Sequence, residues 1–396
     1  MPRLLFLAHR IPYPPVKGEK IRAWHMLERL ARRFTMDLGF LVDDGADLAH
    51  LPFLRAQFGE VQAARIPSRR AAAARALLRA RPGRPLSLGW FHDPALAGWV
   101  REGLAARRWA GAFVYSSAAA PYVMGPAAAA ALPRRVLDLV DVDSAKWSAY
   151  AEDARFPMRE VWRREARTLL AFERRAVREF DASLLVSPDE VRHFEALAPD
   201  CAGRVTPVEN GVELGRFDPA TPCEDPFGGV PALVFTGTMD YRPNVEAVAW
   251  FAAEVMPRLP PPVTFWIVGA NPAPAVRALA SERVRVTGSV PDVRPYLAHA
   301  AAAVAPLRIA RGIQNKVLEA MAMARPVVAT PQAFEGVRAL AGQDLLVEAT
   351  AEGMAARIGE ILAGGHAGMG AAARAAVRAA HDWEATLAPL DTLFPG

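Results

Sequence analysis

At 396 residues the chain exceeds what one ordinary core organises, so two domains of roughly 150–200 residues are expected. Its 52% hydrophobic and 22% charged shares exclude a disordered or collagenous chain. The net charge of +5 is modest, and two cysteines, Cys201 and Cys223, are too few for a disulfide framework and lack metal-binding spacing.

The N-terminal MPRLLFLAHRIPYPP has an apolar run only a strand long and no cleavage site, so it reads as folded chain rather than a leader. No segment offers the roughly 18–20 strongly apolar residues of a spanning helix. Residues 3–9 form a short continuous apolar run, the pattern of a buried parallel strand. A Pro/Gly loop follows, then a helix over 21–34 with Ile21, Trp24, Leu27, Leu30 and Ala31 on one face. A strand at 36–43 completes a βαβ unit. From Val61 through His92 there is no acidic residue, and Arg65, Arg69, Arg70, Arg75, Arg79, Arg81 and Arg84 fall inside. Such a stripe suits an anionic partner, whether membrane phospholipid, a pyrophosphate-bearing lipid or nucleic acid; the competing reading is a solvated helix and loop. Further strands are expected within 111–118, 134–143 and 181–190.

A second series begins after 204–219. It runs strand and loop (232–244), helix (245–259), strands (263–272, 284–290, 301–307), helix (313–324) and strands (325–330, 344–349). The expected division is 1–205, 206–380 and a C-terminal helix within 381–396 that packs across the junction. Both halves read as α/β with mainly parallel sheets. Two Rossmann-like halves facing one another place ligands in the cleft at the strand C-terminal ends.

The chemistry concentrates in three stretches. VENGVE (208–213) presents Asn210 and Gly211, which suit a left-handed turn or a wall of the cleft. FTGTMDYRPN (235–244) delivers Gly237 at a strand end, where backbone amides can approach a diphosphate. Met239 lies in the same loop, Arg242 is placed to reach phosphate oxygens, and Asn244 either joins them or caps the next helix. Gly269 and Gly288 end neighbouring strands. In LRIARGIQNKVLEAMAMARPVVAT (307–330), Gly312, Ile313, Gln314 and Asn315 form a loop and first helical turn whose N–H groups lack intrahelical partners. That is an anion site, flanked by Arg308 and Lys316. Glu319 stands three residues past Lys316; its carboxylate suits a ribose diol, or it forms an exposed helical pair with Lys316. In the first half, Asp138, Asp141 and Asp143 lie at or beyond a strand end, with helix capping by Asp143 or Ser144 as the competing role. His9 and His25 read as structural, and Ser187 as a cap.

NGVE, GTMDYRPN and KVLEAMAMARPVVAT, in this order and at these separations, resemble the retaining glycosyltransferases of family 4 over nearly the whole chain. The narrower resemblance is to the sugar transferases associated with exosortase (PEP-CTERM) exopolysaccharide clusters. It implies a GT-B fold and a nucleoside-diphosphate sugar as donor, held mainly by the C-terminal domain. It also implies a glycan or lipid-linked acceptor, no metal or cofactor, and no nucleic-acid partner. The expected location is cytoplasmic, with peripheral membrane contact through 65–84. By resemblance, Gly18 and Lys20 in PYPPVKGEKIRAWH lie near the diphosphate and acceptor. Glu319 matches the second glutamate of the family's E-x7-E motif, which holds the ribose. Arg242 and Lys316 compensate diphosphate charge, and Asp141 or Asp143 faces the acceptor or reacting sugar. Arg311 departs from the motif, replacing the glutamate that contacts the donor sugar, so donor identity is the least legible feature. The implied reaction is front-face transfer with retention. A GT-B nucleotide-sugar epimerase and an inactive nucleotide-binding scaffold are the alternatives.

Overall fold

The computed structural model describes residues 1–16, 18–66, 71, 82–310 and 312–394. Arg311 lies outside the described residues, as does the arginine stripe apart from Arg65 and Arg84. The chain forms two compact units, Met1–Val208 with Leu387–Gly396, and Glu209–Thr386.

The first unit holds a seven-stranded sheet in the order β3-β2-β1-β4-β5-β6-β7. Its strands are β1 (Arg3–Ala8), β2 (Thr35–Val42), β3 (Val61–Arg65), β4 (Ala112–Tyr115), β5 (Arg135–Val140), β6 (Ala182–Leu185) and β7 (Val205–Pro207). The second unit holds six strands in the order β10-β9-β8-β11-β12-β13. These are β8 (Ala232–Thr236), β9 (Thr264–Val268), β10 (Val284–Gly288), β11 (Ala302–Ala305), β12 (Val327–Ala329) and β13 (Leu346–Val347). All these strand pairs are parallel. Parallel strands need crossovers, and the crossover helices cover both faces. That is why β1 and β8 read as unbroken apolar runs: Leu4 through Ala8 and Ala232 through Phe235 are buried.

The first sheet is locked by charge placed where the local sequence does not announce it. In the first unit Arg22, on the helix Gly18–Ala31, is buried and bidentate to Asp138 of β5 at 2.8 and 3.2 Å. It also donates to the Val208 carbonyl at 2.7 Å. A buried guanidinium is tolerated because every contact is paired. Three buried glutamates cap segments from a distance, supplying the acceptors that helix N-termini lack. Glu165 accepts from Leu86 and Ser87 N–H, at 2.7 and 2.9 Å. Glu190 accepts from Val142 N–H at 2.8 Å. Glu173 accepts from Ser144 N–H and Oγ–H, at 3.2 and 2.6 Å. The helix Asp143–Asp153 is therefore capped by Glu173 of the helix Met158–Glu179, and the competing role of Asp143 or Ser144 as the cap is not what the structure has.

Elements also differ from their sequence pattern. The helix expected over 245–259 is regular only for Arg242–Trp250; a π turn (Phe251–Val255) and a 3-10 turn (Met256–Arg258) finish it. Pro257 lacks the N–H that would continue the α ladder. The C-terminal amphipathic stretch is two short helices, Trp383–Thr386 in the second unit and Leu390–Leu393 in the first. Among the described residues no helix is long and apolar enough to cross a membrane.

Candidate functional site

In the second unit the strand ends form a rim of glycine. Gly237, after β8, donates to Val268 O at 3.0 Å, and Gly269, after β9, donates to Gly288 O at 3.2 Å. Gly237 and Gly269 have φ of +154° and +152°. A Cβ on Gly269 would fall 1.7 Å from the Gly237 carbonyl oxygen, so no side chain fits there.

Asn244 and Lys316 converge on this rim. Asn244 is buried; its amide donates to Thr238 O at 2.9 Å and its Oδ1 accepts from Lys316 Nζ at 2.6 Å. The helix N-cap is Tyr241, so Asn244 is a rim residue rather than the cap. The Lys316 ammonium lies 4.3 Å from the Phe235 ring centroid, and 3.3 Å from where a Cβ on Gly237 would be. Among the described residues no carboxylate lies within ion-pairing distance of it. Burial pushes Lys316 down to about 7, with Glu319 pulling it back up. Burial likewise pushes Glu319 up to about 7, opposed by Arg216 and then Lys316. Both side chains are half-buried, so the exposed Lys–Glu pair of the sequence reading is replaced by two groups that each carry their charge against burial.

Lys316 and Glu319 stand on the helix Asn315–Ala322. Its N-cap, Gln314, makes no side-chain cap bond; its amide turns back to Gly312 O at 3.0 Å. Gly312 has φ +68°, which lets the loop enter the helix tightly. Asn210 donates to Asn315 Oδ1 at 3.4 Å, so the NGVE turn touches the helix start. Ile313 is a buried core residue.

Several expected site residues are engaged otherwise. Met239 is fully buried, so its side chain belongs to the core. Gly211 is required by packing, since a Cβ would meet Trp383 N at 2.7 Å. Arg242 is exposed and bonds Glu246 at 2.6 Å. Arg308 lies over the Trp250 ring at 5.9 Å, in an open depression of about 690 Å³ shared with Glu246, Thr330 and Gln332. Arg216, which sequence reading passed over, acts on Glu319; its only sequence signal is its place six residues after Asn210 in the same loop.

In the first unit Gly18 opens the helix Gly18–Ala31. Lys20 is buried against Asp47 at 2.7 Å, a pairing that occupies its charge. Asp141 and Asp143 share Lys146, at 2.7 and 3.2 Å. Burial opposes the Lys146 charge, but the two carboxylates outweigh it and hold Lys146 well above its usual range. Lys146 was also missed; only its spacing from the two acids hinted at it. The segment leaves β5 through Val140, whose φ of +71° is strained for a β-branched residue by about 1–3 kcal/mol. Asp138 Oδ1 accepts the Val140 N–H at 3.1 Å and holds that turn. His9, at the end of β1, is pushed down by burial and then by Arg10, and its Nδ1 is buried without a hydrogen-bond partner among the described residues. Ser187 caps its helix through Glu190 N–H at 3.2 Å, as its position suggested.

Residues 230–364 match the family model described as Glycosyl transferases group 1. No curated protein matches the chain. Among solved structures it resembles sucrose-phosphate synthase from Thermosynechococcus elongatus, with TM-score 0.69 and 17% identity over 100% of this chain and 98% of that one. It resembles HepE of Anabaena in complex with UDP-glucose, with TM-score 0.67 and 14% identity over 99% and 98% of the two chains. A third is WaaG, a glycosyltransferase involved in lipopolysaccharide biosynthesis, with TM-score 0.65 and 14% identity over 99% and 100%. Two all-parallel α/β units and these neighbours give the chain the GT-B fold, and its second unit carries the match to group 1 glycosyl transferases.

Proposed function

We propose that the protein moves a sugar from a nucleoside-diphosphate sugar to an acceptor hydroxyl. The observation that carries this is Lys316: an ammonium with no carboxylate partner among the described residues, at a glycine rim and one residue inside a helix start without a side-chain cap. A diphosphate answers all three features. Its charge restores the Lys316 proton, the helix N–H groups donate to its oxygens, and Gly237 and Gly269 leave room for its approach.

The chemistry follows from where charge develops. As the sugar–phosphate bond breaks, negative charge grows on the leaving diphosphate, and Lys316 and the helix start stabilise it. Glu319 accepts ribose hydroxyls, and those bonds favour its ionised form, relieving the cost that burial sets on it. In the front-face route, the acceptor oxygen bonds the anomeric carbon on the same face from which the diphosphate leaves, and its proton passes to the leaving phosphate oxygen, so configuration is retained. In the first unit, Asp141 and Asp143 act with Lys146 as one hydrogen-bonded group at the acceptor side.

The family resemblance supports a hexosyl donor, retention without a metal, and a place in exopolysaccharide or related glycan assembly near the inner membrane. The complex of HepE with UDP-glucose makes UDP-sugars the first donors to try. A thermal-shift series with UDP-, GDP- and ADP-sugars tests the reading. One nucleotide class is expected to raise Tm and then to support transfer to a glycan or lipid-linked acceptor. No shift with any class contradicts it.

A further inference from the structure

We propose that His381 is a positioning residue for the candidate donor site: it clamps the NGVE turn and, through Asn210, sets the first turn of the helix that carries Lys316 and Glu319. This rests on the function proposed above, but its geometry stands apart from that reading.

His381 is fully buried, at the end of the helix Met369–Ala380. Its Nε2 accepts the Arg338 N–H at 3.0 Å, so the ring proton sits on Nδ1, which has no hydrogen-bond partner among the described residues. Its carbonyl accepts the Val212 N–H at 2.8 Å. Next to it, Trp383 packs on Gly211, where even a methyl group would collide. Arg338 closes the far side by pairing with Glu209 at 2.7 Å. Glu209, Gly211 and Val212 are thus held by the chain around His381.

The turn is also the neighbour of the Lys316 helix. Asn210 donates to Asn315, its first residue. The same Met369–Ala380 helix grips the other end of both elements. Arg374 donates to Phe217 O at 2.8 Å and to Asp218 Oδ1 at 3.2 Å, and it also bonds the Ala322 carbonyl at the end of the Lys316 helix. The loop and the Lys316 helix are therefore indexed to one common support, at His381 on one side and Arg374 on the other. Burial and then Arg338 push the His381 ring down to about 4, so it stays neutral, the form that can accept from Arg338 N–H.

The test compares His381→Leu, His381→Gln and Asn210→Ala by amide hydrogen exchange and by affinity for UDP, GDP and ADP. His381→Leu removes the acceptor, so exchange is expected to quicken in 209–213 and also in 315–319. Affinity for whichever nucleotide binds wild type should fall about 10-fold. His381→Gln keeps an acceptor near the Nε2 position and should restore both readouts to within about threefold of wild type. Asn210→Ala should loosen 315–319 while leaving Val212 protected. A His381→Leu variant that loosens the turn but leaves 315–319 and affinity unchanged overturns the proposal, as does a Gln variant no better than Leu. If His381→Leu does not fold, unchanged protection of 315–319 in Asn210→Ala overturns it alone. If wild type binds none of the three nucleotides, the proposed function fails, and the clamp is still decided by exchange.

Discussion

Lys316 keeps its charge in a place that works against charge. Its lowered pKa, about 7, means that between pH 7 and 10.5 the unfolded chain holds the proton more tightly than the folded one. This lysine's contribution to stability therefore rises with pH across that window. A bound diphosphate reverses the balance by raising the pKa. Binding at pH 8 is expected to take up about half a proton or more, and affinity should weaken as pH rises above 7. Calorimetry in two buffers of different ionisation enthalpy measures this, and Lys316→Met should abolish the uptake. The glycine rim makes a steric prediction at the same scale. Gly269→Ala places a carbon against the Gly237 carbonyl and should unfold the second unit or cost it more than about 3 kcal/mol. Gly288→Ala meets nothing within 4 Å and should cost only about 1 kcal/mol, from its φ of +71°. Urea unfolding of the two variants side by side separates them.

At the scale of elements, the helix start at Asp143 depends on a glutamate thirty residues downstream. Burial raises Glu173 to about 8, with Ser144 opposing. Its folded-state pKa lies above the unfolded 4.5, so its stabilisation is complete at low pH and is lost as pH rises through 8. First-unit stability should fall by about 1 kcal/mol per pH unit across the upper part of that window. Glu173→Gln should flatten the slope, while Glu173→Ala, which leaves Ser144 N–H buried and unpaired, should cost about 1–3 kcal/mol at every pH. Denaturant melts at pH 5, 7 and 9 check this. The same case shows what was legible in the sequence. Strands such as β1 and β8 were, because burial on both faces writes an unbroken apolar run. The glycine rim and the helix start before Lys316 were also legible, because turn and cap chemistry is local. The partners of Ser144, Lys20 and Asn244 were not, because each is chosen by a residue brought in by tertiary packing. Arg216 escaped for the same reason, whereas the acids that Lys146 faces are local, three and five residues before it, and only that spacing marked them. Arg311, where the motif departs, lies outside the described residues.

At the scale of the whole molecule, the chain makes its two units and then returns to the first. Asp391 bonds Arg29 Nε at 3.0 Å, Arg33 reaches the Phe394 carbonyl at 3.2 Å, and Phe394 packs on Phe34 with ring centroids 5.9 Å apart. Truncation after Pro389 should therefore destabilise the first unit by about 2–4 kcal/mol and leave the second unaffected, as exchange of the two sheets would report. The account's central claim is that the Lys316 rim holds a nucleoside diphosphate. Calorimetric titration of UDP, GDP and ADP into wild type and Lys316→Met at pH 7 tests it most directly. One nucleotide should bind wild type and lose at least about 10-fold in affinity with the variant. No binding by wild type, or equal binding by both, would contradict the claim.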